Sequence, residues 1–178
     1  QDIRQYLDGI FDSIVLKDIV ARKRYTDVSI LQRLVRFLFD NIGNLCSVKK
    51  IADTLNSSGR KTTIPTVDTY LTALTESFVF YKASRYDVKG KQYLQTGDKY
   101  YAADVGLRYN VLGSKPADLG HILENVVYLE LLRRGFEIYV GKVGTTEIDF
   151  VAVNEQGTSY YQVAYTIVDA DGKCLERE

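Results

Sequence analysis

The residues whose type and spacing could do chemistry lie between Leu119 and Tyr165. Glu124 shares a helical stripe with Val127, Tyr128 and Leu131, so its carboxylate points toward apolar surface. A buried carboxylate needs a partner or a proton. Glu147 and Asp149 lie two apart in a strand-like run and so share one face, with Ile148, Phe150 and Ala152 expected on the other. His121, the only histidine, precedes Glu124 by one helical turn. It could carry a proton or bind a cation, but its place near a helix start fits a structural role better.

One helix and three strands must position these groups. Leu119, Ile122, Leu123, Val126, Val127 and Leu131 recur at helical spacing, and Gly135 stands where a helix would stop. Strands are expected at Phe136 to Val140, Glu147 to Val153 and Tyr160 to Tyr165, with turns at Gly144 and at Asn154 to Gly157. In the third strand Tyr160, Gln162 and Ala164 share a face, opposite Tyr161, Val163 and Tyr165.

A helix glutamate, a hairpin with EIDF and the strand YYQVAYT together resemble the core of the PD-(D/E)XK nuclease-like fold. More closely, GHILENVVYLELLRRG with EIDFVAV and YYQVAYT resembles the domain that follows an AAA+ ATPase module in many bacterial and archaeal proteins. The resemblance implies a divalent cation, Mg²⁺ or Mn²⁺, held by the helix glutamate, the aspartate and a second strand acid, with a lysine that activates water. Carried over by position, Glu124 and Asp149 match, Gln162 stands in place of the second acid, and Ala164 stands in place of the lysine. Glu124, Asp149 and the Gln162 amide oxygen could form a weak oxygen site, but alanine cannot activate water. Glu124 and Asp149 are therefore expected as relict or weak catalytic residues. The rival is a metal-dependent DNA endonuclease with a displaced lysine, Lys142 or one beyond the C-terminus. A plainer alternative has Glu147 and Asp149 as strand acids satisfied by Lys142 or by backbone amides.

The chain has 178 residues, 46% hydrophobic and 26% charged, enough for one or two small domains. A net charge of +0 at pH 7 and a pI near 6.8 exclude a global pull toward nucleic acid or anionic membrane, so any DNA contact must come from a local patch. Cys46 and Cys174 lack metal-ligand spacing and read as reduced thiols. No membrane-spanning run or signal peptide is visible, which predicts a cytoplasmic protein. The chain starts at Gln1, contains no Met and ends in LERE, so it reads as a fragment. It has no phosphate-binding GxxxxGK[ST] loop, and ATP would be bound only by an upstream ATPase module that is absent here.

The expected fold class is α+β: a winged helix of three helices plus a β-hairpin, then a truncated PD-(D/E)XK restriction-endonuclease-like α/β domain. Residues 1–27 read as an amphipathic linking helix, 28–113 as the winged helix and 114–178 as the nuclease-like domain, with Gly113 and Pro116 at the boundary. Ile30, Leu31, Leu34, Val35 and Leu38 mark the first winged-helix helix, Ser47 caps the second and Pro65 opens the third. Val79 to Tyr86 and Tyr93 to Ala102 read as the hairpin strands, and DVGLRYNV as a short helix.

Winged helices commonly read DNA with the third helix, but here that helix carries Asp68 and Glu76 and no Lys or Arg. The candidate nucleic-acid contacts are instead Lys82, Arg85, Lys89, Lys91 and Lys99 on the hairpin. The expected function is a recognition or regulatory module for the ATPase, with a degenerate nuclease core that binds DNA or a protein partner. A pure protein–protein platform is the further alternative. No membrane partner is expected.

Overall fold

The computed structural model describes residues 3–11, 13, 19–20, 27–57, 59, 61–90, 92–93, 97–113 and 118–166. The fold is mixed α+β. Helix α1 spans Ile3–Phe11, and Ile19, further along the expected linking helix, is buried in the core of the helical half. Helix α2 (Val28–Asp40) buries the apolar stripe read from its sequence, Ile30, Leu31, Leu34, Val35 and Leu38, together with Phe39. Asp27 caps it by accepting from the amides of Ser29 and Ile30 at 3.0 and 3.3 Å. Helix α3 (Val48–Ser57) starts where Ser47 Oγ accepts from Lys50 N. Helix α4 (Ile64–Glu76) carries Pro65 in its first turn and a Thr63 cap.

Four strands follow: β1 (Phe80–Ala83), β2 (Arg85–Asp87), β3 (Gln92–Tyr93) and β4 (Lys99–Ala102). Beyond them lie helices α5 (Val105–Leu112) and α6 (Leu119–Arg133) and strands β5 (Glu137–Val143), β6 (Thr146–Asn154) and β7 (Gly157–Tyr161). At the end of α6, Gly135 takes φ +81°, and the amides of Gly135 and Phe136 return to the carbonyls of Leu132 and Leu131.

The expected hairpin is divided between two sheets. β1 pairs antiparallel with β4, whereas β2 and β3 join a five-stranded sheet of order β3-β2-β5-β6-β7. The run read as one strand, Val79 to Tyr86, crosses from one sheet to the other at Ser84, whose carbonyl accepts from Val140 N at 3.0 Å. β2 then runs parallel to β5. Such a pairing between distant segments leaves no mark in the local pattern. The last strand also starts earlier than expected. Asn154 pairs with Gly157 across a two-residue turn, so β7 occupies Gly157–Tyr161 and Gln162 to Tyr165 fall beyond its end.

The β1–β4 ribbon separates two apolar cores. Phe80, Tyr100 and Ala102 face the helices, while Ala83 and Tyr101 face a second core containing Tyr128, Leu131, Ile138, Val140, Phe150 and Ala152. All four residues of β4 are therefore buried. The outer edge of β4 is closed as well. Cys46 exchanges both backbone hydrogen bonds with Asp98, and Gly43 N donates to Tyr100 O. Asn125 on α6 accepts from Ala102 N at 2.7 Å and donates to Ala102 O at 2.9 Å. Cys46 is a buried free thiol whose pKa burial pushes up, with Lys50 opposing; Cys174 lies outside the described residues.

Candidate functional site

A bulge in β6 turns the strand acids toward the second core. Tyr139 pairs with Val151 but Gly141 pairs with Ile148, so Asp149 and Phe150 together oppose the single residue Val140. A Cβ at Gly141 would meet Val151 Cγ2 at 2.8 Å and Ile148 Cβ at 2.9 Å. Ile148 and Val151 thus share the face of Gly141, although three residues apart in an unbroken strand they would lie on opposite faces. Asp149 and Phe150 must then both point the other way, toward Tyr101, whose ring meets Phe150 at 5.6 Å. The expectation that Glu147 and Asp149 lie opposite Phe150 is corrected by this bulge. Gly141→Ala is expected to cost about 1–3 kcal/mol by overpacking against β6. Urea denaturation checks this, and wild-type stability in the variant would show that Gly141 does not hold the bulge.

Lys99 stands at the centre of the site. β4 alternation places Lys99 and Tyr101 on the face of the second core, where Glu124 arrives from α6 and Glu147 from β6. The Lys99 ammonium lies 3.0 Å from Glu124 Oε1 and 2.7 Å from Glu147 Oε1. Tyr101 donates its hydroxyl to the same Glu124 oxygen at 2.7 Å and stacks on Tyr128 at 4.2 Å between centroids. Lys99 is 3% exposed and Glu124 8%, while the Glu147 side chain is 36% exposed. Burial alone would lower the Lys99 pKa, but the charges and hydrogen bonds of Glu124 and Glu147 outweigh it and hold it above its ordinary value. The Tyr101 hydroxyl is pushed well up, first by burial and then by the Glu124 charge and hydrogen bond, so it remains a donor.

Asp149 forms a second, adjacent group. Its Oδ2 accepts from Gln162 Nε2 and from Val163 N, each at 2.7 Å. Of the residues proposed as metal ligands, Asp149 and Gln162 are brought together, while Glu124 is committed to Lys99 and Tyr101. Among the described residues no group of three or more His, Cys, Asp or Glu side chains is arranged to hold a metal ion. The implied Mg²⁺ or Mn²⁺ does not fit the site as built. Glu124 Oε1 and Asp149 Oδ2 already accept hydrogen bonds, and Gln162 presents its nitrogen to Asp149.

The proposed nucleic-acid contacts differ in exposure. Lys99 is removed from that set, because both faces of β4 are covered and its ammonium is ion-paired. Lys82 lies 3.6 Å from Asp98, Arg85 is half-buried on β2, and Lys89 is exposed in the turn after β2. Lys91 lies outside the described residues. Lys142 is the strand partner of Glu147 and of Asp87. His121 is half-buried, with its Nδ1 close to the space above Gly43.

Sequence reasoning placed Lys99 among the nucleic-acid contacts and not in this site, and it missed Tyr101, Asn125 and Arg108. Arg108 is buried, donating from Nε to Phe39 O at 2.8 Å and pairing with Asp118. One signal for Lys99 was available: in KYYA the residues on both alternating faces are apolar apart from the lysine, the mark of a strand covered on two sides.

Fold and site define a mixed α+β protein in which a lysine from one sheet neutralises acids from the helix and sheet that face it. The chain belongs to the family described as Domain of unknown function (DUF8612), which matches residues 1–118. It is similar to an uncharacterized protein of Haemophilus influenzae, 47% identical over 161 residues, covering 90% of this chain and 40% of that protein. It also resembles the uncharacterized protein MJ1544 of Methanocaldococcus jannaschii, 29% identical over 169 residues, covering 93% of this chain and 36% of that one. The chain thus spans about two fifths of these relatives. No solved structure matches it significantly. Among the described residues no helix is long and apolar enough to cross a membrane.

Proposed function

We propose that this chain is a non-catalytic recognition module of a longer protein related to AAA+ ATPases, with a winged-helix part and a nuclease-like part that no longer cuts. Helices α2 to α4 followed by β1 and β4 have the order of a winged helix; α6, β5, β6 and β7 have the order of the nuclease-like core. The observation that carries the reading is the Asp149 group. Gln162, in the place of the second acid, donates to Asp149, and Ala164, in the place of the lysine, lies beyond the end of β7. Without a cation-binding acid pair and a lysine at those positions, phosphodiester cleavage lacks its water-activating parts.

The charges favour a protein as the recognised partner. Asp68 and Glu76 are exposed on α4, the helix that would enter DNA, and Lys99 is withdrawn from the surface. Incubation with supercoiled plasmid and branched DNA in Mg²⁺, then Mn²⁺, is expected to give no cutting above an Asp149→Ala control. Duplex binding is expected to be absent or independent of salt. A steep salt dependence that weakens in Lys89→Glu would replace the protein partner with DNA.

A second reading, a nuclease with a displaced lysine, is favoured by one contact: Lys99 touches Glu124, the helix acid of the motif. Cleavage lost in both Asp149→Ala and Lys99→Ala would establish it.

A further inference from the structure

We infer that Lys99 is the resident cation of this site: its ammonium takes the place of an inorganic ion between Glu124 and Glu147 and closes the site against divalent metal. The inference rests on the non-catalytic reading and deepens it, because it says what became of the acidic site.

Three observations carry it. Two carboxylates from separate elements, α6 and β6, converge on one ammonium at 3.0 and 2.7 Å. That ammonium is almost fully withdrawn from water, so its charge is balanced by these acids and not by solvent. Tyr101 supplies a further hydrogen bond to the Glu124 oxygen, leaving that oxygen with two donors already in place. A divalent ion taking that oxygen and Glu147 Oε1 would have to expel a covalently attached cation, displace the tyrosine hydroxyl and bury an extra positive charge.

The geometry also explains why the cation is a lysine on β4. That strand is the partition between the two cores, and Lys99 is the β4 side chain that reaches both acids. The ion pairs therefore join the β1–β4 ribbon to α6 and to the five-stranded sheet. Glu147 has a side for each role: it is partly exposed, so it could pass a small cation inward, yet its Oε1 is held by the ammonium.

The test is Mn²⁺ titration, followed by calorimetry and thermal unfolding, of the wild type, Lys99→Ala and Lys99→Ala with Glu124→Gln. Removing the ammonium leaves two facing carboxylates without a counter-ion. Lys99→Ala is expected to melt below wild type, to bind Mn²⁺ at least about tenfold more tightly than wild type, and to regain melting temperature as Mn²⁺ is added. The added Glu124→Gln change should abolish that rescue. A Lys99→Ala protein that Mn²⁺ does not rescue, or Mn²⁺ stabilising the wild type equally, would overturn the inference.

If Lys99→Ala does not fold, the wild type still decides. Its Lys99 ammonium should give a slowly exchanging ¹⁵N signal at neutral pH that Mg²⁺ leaves in place; a signal lost or shifted on adding Mg²⁺ overturns the proposal. Metal binding by the wild type without DNA cleavage would refute the resident cation alone. Metal binding with cleavage would refute the non-catalytic reading as well.

Discussion

Glu124→Leu is expected to destabilise the protein by about 3–5 kcal/mol, the range for breaking a buried ion pair by removing one partner. Leucine is close to glutamate in size, so lost packing is not the main cost. The cost is electrostatic. Lys99 keeps its charge at 3% exposure but retains Glu147 alone, and the buried Tyr101 hydroxyl loses its acceptor. For a chain of this size each kcal/mol moves the melting temperature by about 2–4 °C, so the effect is easily seen by calorimetry. Glu147→Gln provides the contrast. Its side chain is 36% exposed and the glutamine amide oxygen can still accept from the ammonium, so the change should stay within about 1 kcal/mol. Combining Glu124→Leu with Lys99→Met should recover most of the loss, because an apolar pair removes the stranded charge. A Glu124→Leu protein as stable as Glu147→Gln would mean that Lys99 finds water or another acid, and the site would not be the joint described above.

How much of this was legible in the sequence follows from the range over which each feature is determined. The stripe of α2, the cap at Ser47, the proline that opens α4 and the stop at Gly135 depend on neighbours within a turn or two, and all could be read directly. Glu124 was also readable as a buried acid, because helical spacing alone sets it among Val127, Tyr128 and Leu131. Its partner was not. Lys99 reaches Glu124 only because both faces of β4 are covered, and the sheet that covers one face includes β2, a segment pairing in parallel with β5 far along the chain. A lysine in an apparent hairpin looks solvated until that pairing is known. The direction of Asp149 was hidden for a related reason. Strict alternation sends it away from Phe150, and only the pressure of Ile148 and Val151 on Gly141 in the neighbouring strand reveals the bulge. One plain expectation did meet its match: Asp149 accepts a backbone amide, from Val163, as an ordinary strand acid would.

Asn125→Ala is expected to cost on the order of 3 kcal/mol, as much as many charged-pair deletions, although no charge is involved. The Asn125 amide is fully buried and acts as a strand residue would, accepting from Ala102 N and donating to Ala102 O. Alanine at this position leaves both backbone groups of Ala102 without partners between two packed cores. Each orphaned group costs about 1–3 kcal/mol, and no water reaches the site without opening the contact between α6 and β4. The loss should be local before it is global. β4 keeps its pairing with β1, but among the described residues its outer edge would be held by Gly43 and Cys46 alone, so the Ala102 amide should exchange with solvent much faster than in the wild type. Asn125→Asp separates hydrogen bonding from shape. The carboxylate can still accept from Ala102 N, but it places negative charge against Ala102 O, so it should be no better than alanine at neutral pH. Urea denaturation together with hydrogen exchange at Ala102 provides the check. An alanine variant within about 0.5 kcal/mol of wild type, with Ala102 still protected, would show that the edge of β4 is closed without Asn125. The same two measurements bear on Lys99, three residues before Ala102 on the same strand. If α6 lifts from β4 when Asn125 is lost, Glu124 moves with it, and the ion pair and the strand edge are two parts of one joint.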